Sequence, residues 1–147
     1  MIVFVPASAL PHSLMERDLV VLAQHLSRKL RTSGVHRVGI KFVSEKTIQG
    51  LNKQYRRKNR STDVLSFASA VVPFIDSVKK EQELGDVVIC SAYAQREAKR
   101  RHIPFREEYI RLVTHGVLHL SGYDHATEDD EMKMFALQES VVEKTQA

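Results

Sequence analysis

Residues 115–125 read His-Gly-Val-Leu-His-Leu-Ser-Gly-Tyr-Asp-His and contain three of the seven histidines of the chain. Each helical residue turns by about 100°, so His115 and His119 would project from one face of a helix, one turn apart. Gly122 suits the left-handed conformation that ends a helix, and the reversal behind it can bring His125 back to the first two. We therefore predict that His115, His119 and His125 hold one metal ion on a helix and the turn that follows it.

The number of predicted ligands indicates the kind of metal site. Three protein ligands leave one coordination position open, which is typical of a catalytic rather than a structural zinc site. A closed site would need a fourth ligand, and Cys90 is the only cysteine. Zinc (Zn2+) is the expected ion, and Ni2+ or another divalent metal also fits, because imidazole ligands do not select zinc by affinity alone. The alternative is that these are ordinary core or surface histidines.

The composition is that of an ordinary soluble globular protein. The 147 residues are 43% hydrophobic and 27% charged, which predicts a single domain over residues 1–147. One cysteine excludes an intramolecular disulfide and fits a reducing compartment. The N-terminus lacks the pattern of a signal peptide, and no run approaches the roughly 18 apolar residues of a membrane span. We expect a cytoplasmic protein that does not enter a membrane.

Hydrophobic periodicity predicts an irregular alternation of helices and strands, and hence an α+β domain with a small mixed four-stranded sheet packed against helices. The predicted strands are residues 1–5, 35–43, 63–67 and 85–90. The predicted helices are residues 11–32, a helix capped by Ser44 that ends near 56, one capped by Ser91 that ends near 101, one from 105 through the histidines, and one after a Thr127 cap. Residues 69–83 are predicted to be a loop. The spacing that marks the last helix is that of Met132, Phe135, Ala136, Glu139 and Val142.

Basic residues form two clusters in a chain of net charge +4, a plausible electrostatic footprint for nucleic acid. The candidates for contacts with RNA phosphates are Lys53, Arg57, Lys58, Arg60, Lys99 and Arg100. The aromatic residues among them, Tyr55 and Phe105, fit core positions, so base stacking is not predicted. Composition alone leaves an ordinary solvated face as an equal alternative.

Three sequence blocks occur in a specific order along the chain. Asn52, Tyr55 and Arg56 are followed by Thr-Asp-Val-Leu-Ser-Phe at 62–67, then by Leu-Gly-Asp at 84–86, then by the histidine segment. With these blocks the chain resembles the YbeY family of endoribonucleases, whose signature H-G-x-x-H-x-x-G-Y/F-D/T-H is matched at each fixed position. Ala68 stands where the family usually has proline, which we expect to alter the local loop rather than the chemistry.

The resemblance implies zinc on the three histidines and cleavage of single-stranded RNA. It also implies a role in maturing the 3′ end of small-subunit (16S) rRNA and in ribosome quality control, with the ribosome as partner. Arg56 is implied to act near the metal, and we take Arg56 and His115 as the candidate catalytic residues. A guanidinium suits the negative charge that a phosphorane-like transition state gains. Either water or the ribose 2′-hydroxyl could attack, and Asp124 could orient an imidazole or simply form the turn.

Two other functions fit parts of this pattern. The histidine spacing matches H-E-x-x-H-x-x-G-x-x-H of the metzincin proteases, in which the glutamate is the general base. Gly116 occupies that position and cannot be titrated, which disfavours a protease. A non-catalytic ribosome assembly factor with a structural metal would need only the basic clusters, and the sequence leaves that function open.

Overall fold

Four strands and five helices follow one another in the described residues of the computed structural model, 1–69 and 81–146. In chain order they are β1 (Ile2–Pro6), α1 (Glu16–Leu30), β2 (Val35–Val43), α2 (Glu45–Arg56), β3 (Val64–Ala68), β4 (Glu81–Cys90), α3 (Ser91–Arg101), α4 (Phe105–Leu120) and α5 (Glu128–Gln146). The sheet order is β1-β2-β4-β3. β2 is parallel to both β1 and β4, whereas β3 is antiparallel to β4.

Alternate residues of the strands face two hydrophobic layers, because successive side chains of a strand point to opposite faces. Val87 and Ile89 of β4 point into the larger layer, where α1, α4 and α5 pack on the sheet. Cys90 points into a smaller layer with Ile48 of α2 and Leu65 of β3. The sheet is thus the middle layer. α4, which carries two of the histidines, packs against the face of the sheet that borders the larger hydrophobic layer.

This architecture confirms the predicted α+β class and its mixed four-stranded sheet. β2 covers the predicted residues 35–43. Ser44 caps α2 by accepting a hydrogen bond from Thr47 N at 3.2 Å, and Thr127 caps α5 by accepting from Asp130 N at 3.0 Å. None of the described helices has the length and apolar character needed to cross a bilayer.

Three predicted boundaries were wrong. α1 begins at Glu16 rather than at residue 11, because Leu14 N bonds to Pro11 O at 3.0 Å and closes a turn there. Ser91 is the first residue of α3 rather than its cap. The predicted loop over 69–83 ends too late, because β4 already begins at Glu81 and its polar start pairs with the start of β2. Residues 70–80 of that loop lie outside the described residues.

The buried side of α5 agrees only in part with the residues whose spacing predicted the helix. Its buried residues are Met134, Gln138, Val141, Val142 and Thr145. Met132 and Phe135 are instead 65% and 62% exposed. Val142 is buried as its spacing predicted, whereas the buried polar residues Gln138 and Thr145 were not predicted by hydrophobic periodicity.

Gly116 lies where α4 crosses β3 and β4. A Cβ atom at this position would stand 2.6 Å from Val87 Cγ1 and 3.2 Å from Ser66 Oγ. The Ser66 hydroxyl also donates a hydrogen bond to Gly116 O at 3.2 Å. Only glycine therefore allows α4 to lie this close to the sheet.

We expect Gly116→Ala to lower the free energy of unfolding by about 1–3 kcal/mol, the usual cost of overpacking a core. Gly50 is a matched control, because it lies inside α2 and a Cβ there would meet nothing within 4 Å. Gly50→Ala should raise the free energy of unfolding by about 0.5–1 kcal/mol, the difference in helix propensity. Chemical denaturation measures both variants. An unchanged stability of Gly116→Ala would show that α4 can move off the sheet at no cost.

Candidate metal centre

Three histidines converge at the C-terminal end of α4. His119 Nε2 lies 3.1 Å from His115 Nε2 and 3.2 Å from His125 Nε2. The helix ends at Leu120, after which Gly122 adopts a φ of 102° and its N–H donates to His119 O at 3.1 Å. The expected helix end and chain reversal are both present, and they return His125 to the other two imidazoles.

The spacing and ionisation of this cluster fit a divalent ion. Zinc–nitrogen bonds of about 2.0–2.1 Å in a tetrahedron place neighbouring ligand atoms about 3.3 Å apart. Each histidine offers a ring nitrogen, and these ligand atoms all lie within 4.8 Å of one another. Burial lowers the pKa of both His115 and His119, so at pH 7 these imidazoles are neutral and can donate a lone pair. The donor set therefore suits zinc or another divalent ion that accepts imidazole.

Arg56, the last residue of α2, lines the same cleft as His115 and His119, which has a volume of about 590 Å³. Its Nη2 donates a hydrogen bond to Ser66 O at 2.6 Å. The guanidinium carbon also lies 5.5 Å from the centre of the Phe67 ring. The structure thus brings a permanent positive charge and two candidate metal ligands into one cleft.

Two polar residues without a role evident from the sequence hold this cleft together. Ser66 accepts from Arg56 through its carbonyl oxygen and donates its hydroxyl to Gly116 O, so it links α2 to α4 through β3. Asn52 is 4% exposed, and its Nδ2 donates to Arg60 O at 3.0 Å. Asn52 therefore fastens the basic loop after α2.

The two basic clusters have different surroundings. The residues of the first are exposed and make no ion pair with a described side chain: Lys53, Arg57, Lys58 and Arg60. In the second, Arg100 donates hydrogen bonds to both carboxylate oxygens of Glu97, and Lys99 lies 5.9 Å from the centre of the Phe105 ring. The first cluster, which adjoins Arg56 in sequence, is the freer to bind an anion.

Apolar side chains near the site are more exposed than the sequence predicted. Tyr55 is 54% exposed and packs edge-on against Phe67 at 5.2 Å, so its expected core position was wrong. Phe135 and Met132 line a pocket of about 400 Å³ together with two of the histidines. The sequence had placed Met132 and Phe135 on the buried side of α5, so this exposed apolar surface was not predicted.

Asp124 and Gln138 differ in their relation to the histidines. Asp124 Oδ1 accepts a hydrogen bond from Ala126 N at 3.0 Å, which is the turn-forming role. Gln138 Oε1 instead lies 2.8 Å from His115 Nδ1, although it is 23 residues away in the chain. Sequence reasoning missed Gln138, and its one signal is a polar residue in the buried i, i+4 series with Met134 and Val142.

A larger cleft of about 810 Å³ lies between β1 and α1. Its lining is mainly apolar and includes neither histidine nor cysteine, so it lacks the ligands that zinc prefers. Of these two clefts, the histidine cleft is the one that offers imidazole ligands.

The family profile and the similar sequences agree on one family, and a solved structure shares the fold. The sequence profile described as "Endoribonuclease YbeY" matches residues 9–146. The endoribonuclease YbeY of Persephonella marina is 42% identical over 107 residues, which cover 72% of this chain and 68% of that protein. The endoribonuclease YbeY of Hydrogenovibrio crunogenus is 38% identical over 113 residues, covering 76% and 71%. A solution structure of a protein from Thermotoga maritima matches with a TM-score of 0.61 and 27% identity over 99% of this chain and 89% of that one.

An α+β frame, a three-histidine cluster at a helix end and an arginine in the same cleft define a metal-dependent hydrolase. The profile match over nearly the whole chain specifies the kind of hydrolase. The chain belongs to the endoribonuclease YbeY family, which confirms the resemblance drawn from the sequence blocks.

Proposed function

We propose that this chain, acting as one domain, cleaves single-stranded RNA and matures the 3′ end of small-subunit rRNA. The observation that supports this best is the cleft shared by Arg56, His115 and His119, because a permanent cation beside metal ligands suits a phosphodiester. Family membership supports the RNA substrate. The ribosome as partner, ribosome quality control as the process and the cytoplasm as the location belong to the same proposal.

The proposed metal ligands are His115, His119 and His125, with zinc as the ion. When bound, the ion supplies Lewis acidity toward a phosphoryl oxygen and a means to activate an attacking hydroxyl. Arg56 would bind a non-bridging phosphate oxygen and stabilise the charge that develops on it. The hydrogen bond to Ser66 O restrains the guanidinium, so little reorganisation is needed when that charge forms. Arg56 and His115, which line one cleft, are the proposed catalytic residues.

The attacking group is open between water and the ribose 2′-hydroxyl. An RNA with one 2′-deoxyribose at the cleavage position separates the two routes. Attack by the 2′-hydroxyl requires that cleavage stops at this position and that ordinary products end in a 2′,3′-cyclic phosphate. Attack by water requires that cleavage persists there.

Two rival functions make different demands on the site. A metzincin-like protease needs a carboxylate next to the first histidine, but Val87 and Ser66 already fill the space beside Gly116. An assembly factor without catalysis would need only the exposed basic loop. Arg56 in the histidine cleft favours the nuclease over such a factor, because simple RNA binding needs no arginine at the metal.

One experiment separates these functions. Metal-quantified protein is incubated with single-stranded rRNA and with casein, each with and without a chelator, alongside His115→Ala. RNA cleavage that stops with chelator, returns with zinc and is absent from the variant would support the nuclease. Casein cleavage would support the protease, and RNA binding without cleavage would support the assembly factor.

Binding of RNA is expected to weaken with salt through the basic loop. For single strands, the logarithm of the association constant falls with log salt by about 0.7 per phosphate contact. The double variant Lys53→Ala, Lys58→Ala should therefore make the slope shallower by about 1.4, if each lysine contacts one phosphate. Fluorescence anisotropy of a labelled RNA measures the slope, with a chelator present so that the RNA is not cleaved.

The controls for this slope lie on other helices. Lys144 is exposed and lies on α5, outside both basic clusters, so Lys144→Ala should leave the slope unchanged. Arg100→Ala tests the second cluster, in which Glu97 already offsets the charge. A slope that the double lysine variant does not alter would exclude this loop from phosphate binding.

A further inference from the structure

A chain of hydrogen bonds connects a partly buried ion pair to His115, on the side of the ring that faces away from the other histidines. Gln138 Oε1 lies 2.8 Å from His115 Nδ1, the ring nitrogen that does not face the other histidines. Gln138 Nε2 donates to Glu139 Oε2 at 3.1 Å. Arg111 donates to both oxygens of Glu139, each at 2.9 Å. Gln138 is 7% exposed and the Arg111 side chain 12% exposed, whereas the Glu139 side chain is partly buried, with 32% exposed.

The direction of each hydrogen bond follows from the chemistry of the groups. An ionised Glu139 only accepts, so it selects the amide orientation in which Gln138 Nε2 faces it. The amide oxygen must then face His115. Because that oxygen only accepts, His115 Nδ1 must carry the proton, which leaves the lone pair of the neutral ring on Nε2. Nε2 is the atom that meets His119 Nε2 at 3.1 Å.

Arg111 keeps the Glu139 carboxylate ionised, so that this carboxylate can only accept hydrogen bonds. Its bidentate, charge-assisted pair lowers the pKa of Glu139, so the carboxylate is ionised at neutral pH. Glu107 accepts from Nη2, the nitrogen that also donates to Glu139, at 3.2 Å, and Glu108 accepts from Nη1 at 3.3 Å. Arg111 and His115 are four residues apart on α4, so both face α5, where the other two members lie.

We propose that Arg111, Glu139 and Gln138 are positioning residues that hold His115 in the tautomer whose Nε2 is free for the metal. This inference rests on the metal site proposed above. It adds that the tautomer of His115 is set before the metal binds. Without the three residues the proton could occupy either ring nitrogen, and binding would first have to move it. Partners of this kind change metal affinity by about 10–100-fold.

The sharpest variant is Glu139→Gln, which keeps the shape and removes only the charge. A glutamine at 139 can present either its oxygen or its amide nitrogen to Gln138, so Gln138 is free to turn over. We expect the dissociation constant for zinc to rise about tenfold. Gln138→Leu removes the acceptor itself and should raise it by about 10–100-fold.

Glu107→Gln is the matched control. Glu107 also pairs with Arg111 but is not bonded to Gln138 in the structure described. Its loss should weaken the ion-pair cluster without releasing the amide of Gln138, and zinc affinity should stay native. An equal loss of affinity in this variant would assign the effect to general weakening around Arg111 and overturn the proposal.

Two measurements decide the proposal. Competition with a chromophoric chelator gives the dissociation constant for zinc. Long-range ¹H–¹⁵N NMR of the metal-free protein at pH 8, where imidazoles of ordinary pKa are neutral, reports which nitrogen of His115 carries the proton. The native protein should show the Nδ1–H form, and Glu139→Gln and Gln138→Leu should show a mixture or the Nε2–H form.

An unchanged Nδ1–H tautomer in both variants, or native zinc affinity in both, would overturn the proposal. If Gln138→Leu fails to fold, Glu139→Gln carries the test alone. The tautomer is read without metal or RNA, so a native protein that cleaves no RNA would refute the proposed function and leave this result standing.

Discussion

RNA cleavage is expected to stop, and zinc to be lost, when His119 is replaced by alanine. His119 is the middle ligand of the cluster, because its Nε2 lies within 3.2 Å of the corresponding atoms of both other histidines. The variant would leave only His115 and His125 as ligands, without the imidazole that lies between them. Outer partners of metal ligands are already worth about 10–100-fold in affinity, so loss of a ligand itself should weaken zinc binding by more than about 100-fold. Cleavage should then fall to the level of chelator-treated native protein.

The control must separate the metal from the fold. His12 is exposed and precedes α1, so His12→Ala should keep native zinc content and native cleavage. His119 is itself only partly buried, so the metal-free His119→Ala variant should melt within a few degrees of the metal-free native protein. Zinc content by elemental analysis and cleavage of a labelled single-stranded RNA are the measurements. Native cleavage by His119→Ala would refute a catalytic metal on these histidines.

The histidine cluster could be predicted because its geometry is local. A spacing of four fixes the relation of His115 to His119 once the segment is helical, and Gly122 fixes where the helix ends. Only the position of His125 depended on the turn, and His125 is just ten residues from His115 and six from His119 in sequence. Contacts of this range are set by backbone geometry rather than by the tertiary fold.

Gln138 could not be predicted, because its contact with His115 depends on how α5 rotates about its own axis. That rotation buries Gln138 and Thr145 and exposes Met132 and Phe135, the reverse of what hydrophobicity favours. The hydrogen bonds of the two polar residues compensate for their burial. A sequence pattern shows that a side chain is polar, but it does not show the hydrogen-bond partner that makes its burial possible.

Gly116 bears on the function in two ways, and only the first could be seen in the sequence. The first is chemical: glycine lacks the carboxylate that a metzincin protease uses as its general base. The second is packing: a Cβ atom at this position would stand 2.6 Å from Val87 Cγ1, so no side chain fits there unless α4 or Val87 shifts. The packing constraint comes from a strand nearly thirty residues away and strengthens the chemical argument.

Arg56→Ala is expected to lower kcat for RNA cleavage by about 10²–10³-fold, the usual effect of removing one preorganised donor to a developing oxyanion. Zinc content should stay native, because Arg56 lines the cleft but is not a ligand. Stability should change little, since the guanidinium is exposed and its hydrogen bond within the described residues is to a carbonyl that water can reach. Single-turnover cleavage at saturating enzyme gives the rate without the binding step.

Two further variants show whether charge or geometry at this position matters. Arg56→Lys keeps the charge but loses the planar fork, so it should recover only part of the rate. Arg57→Ala removes the next charge along, in the exposed basic loop, and should raise KM while leaving kcat near native. If Arg56→Ala altered KM alone, Arg56 would belong with the phosphate-binding loop. If it altered neither constant, the arginine would have no part in the reaction, and the histidine cluster would be the only remaining support for phosphodiester chemistry in this cleft.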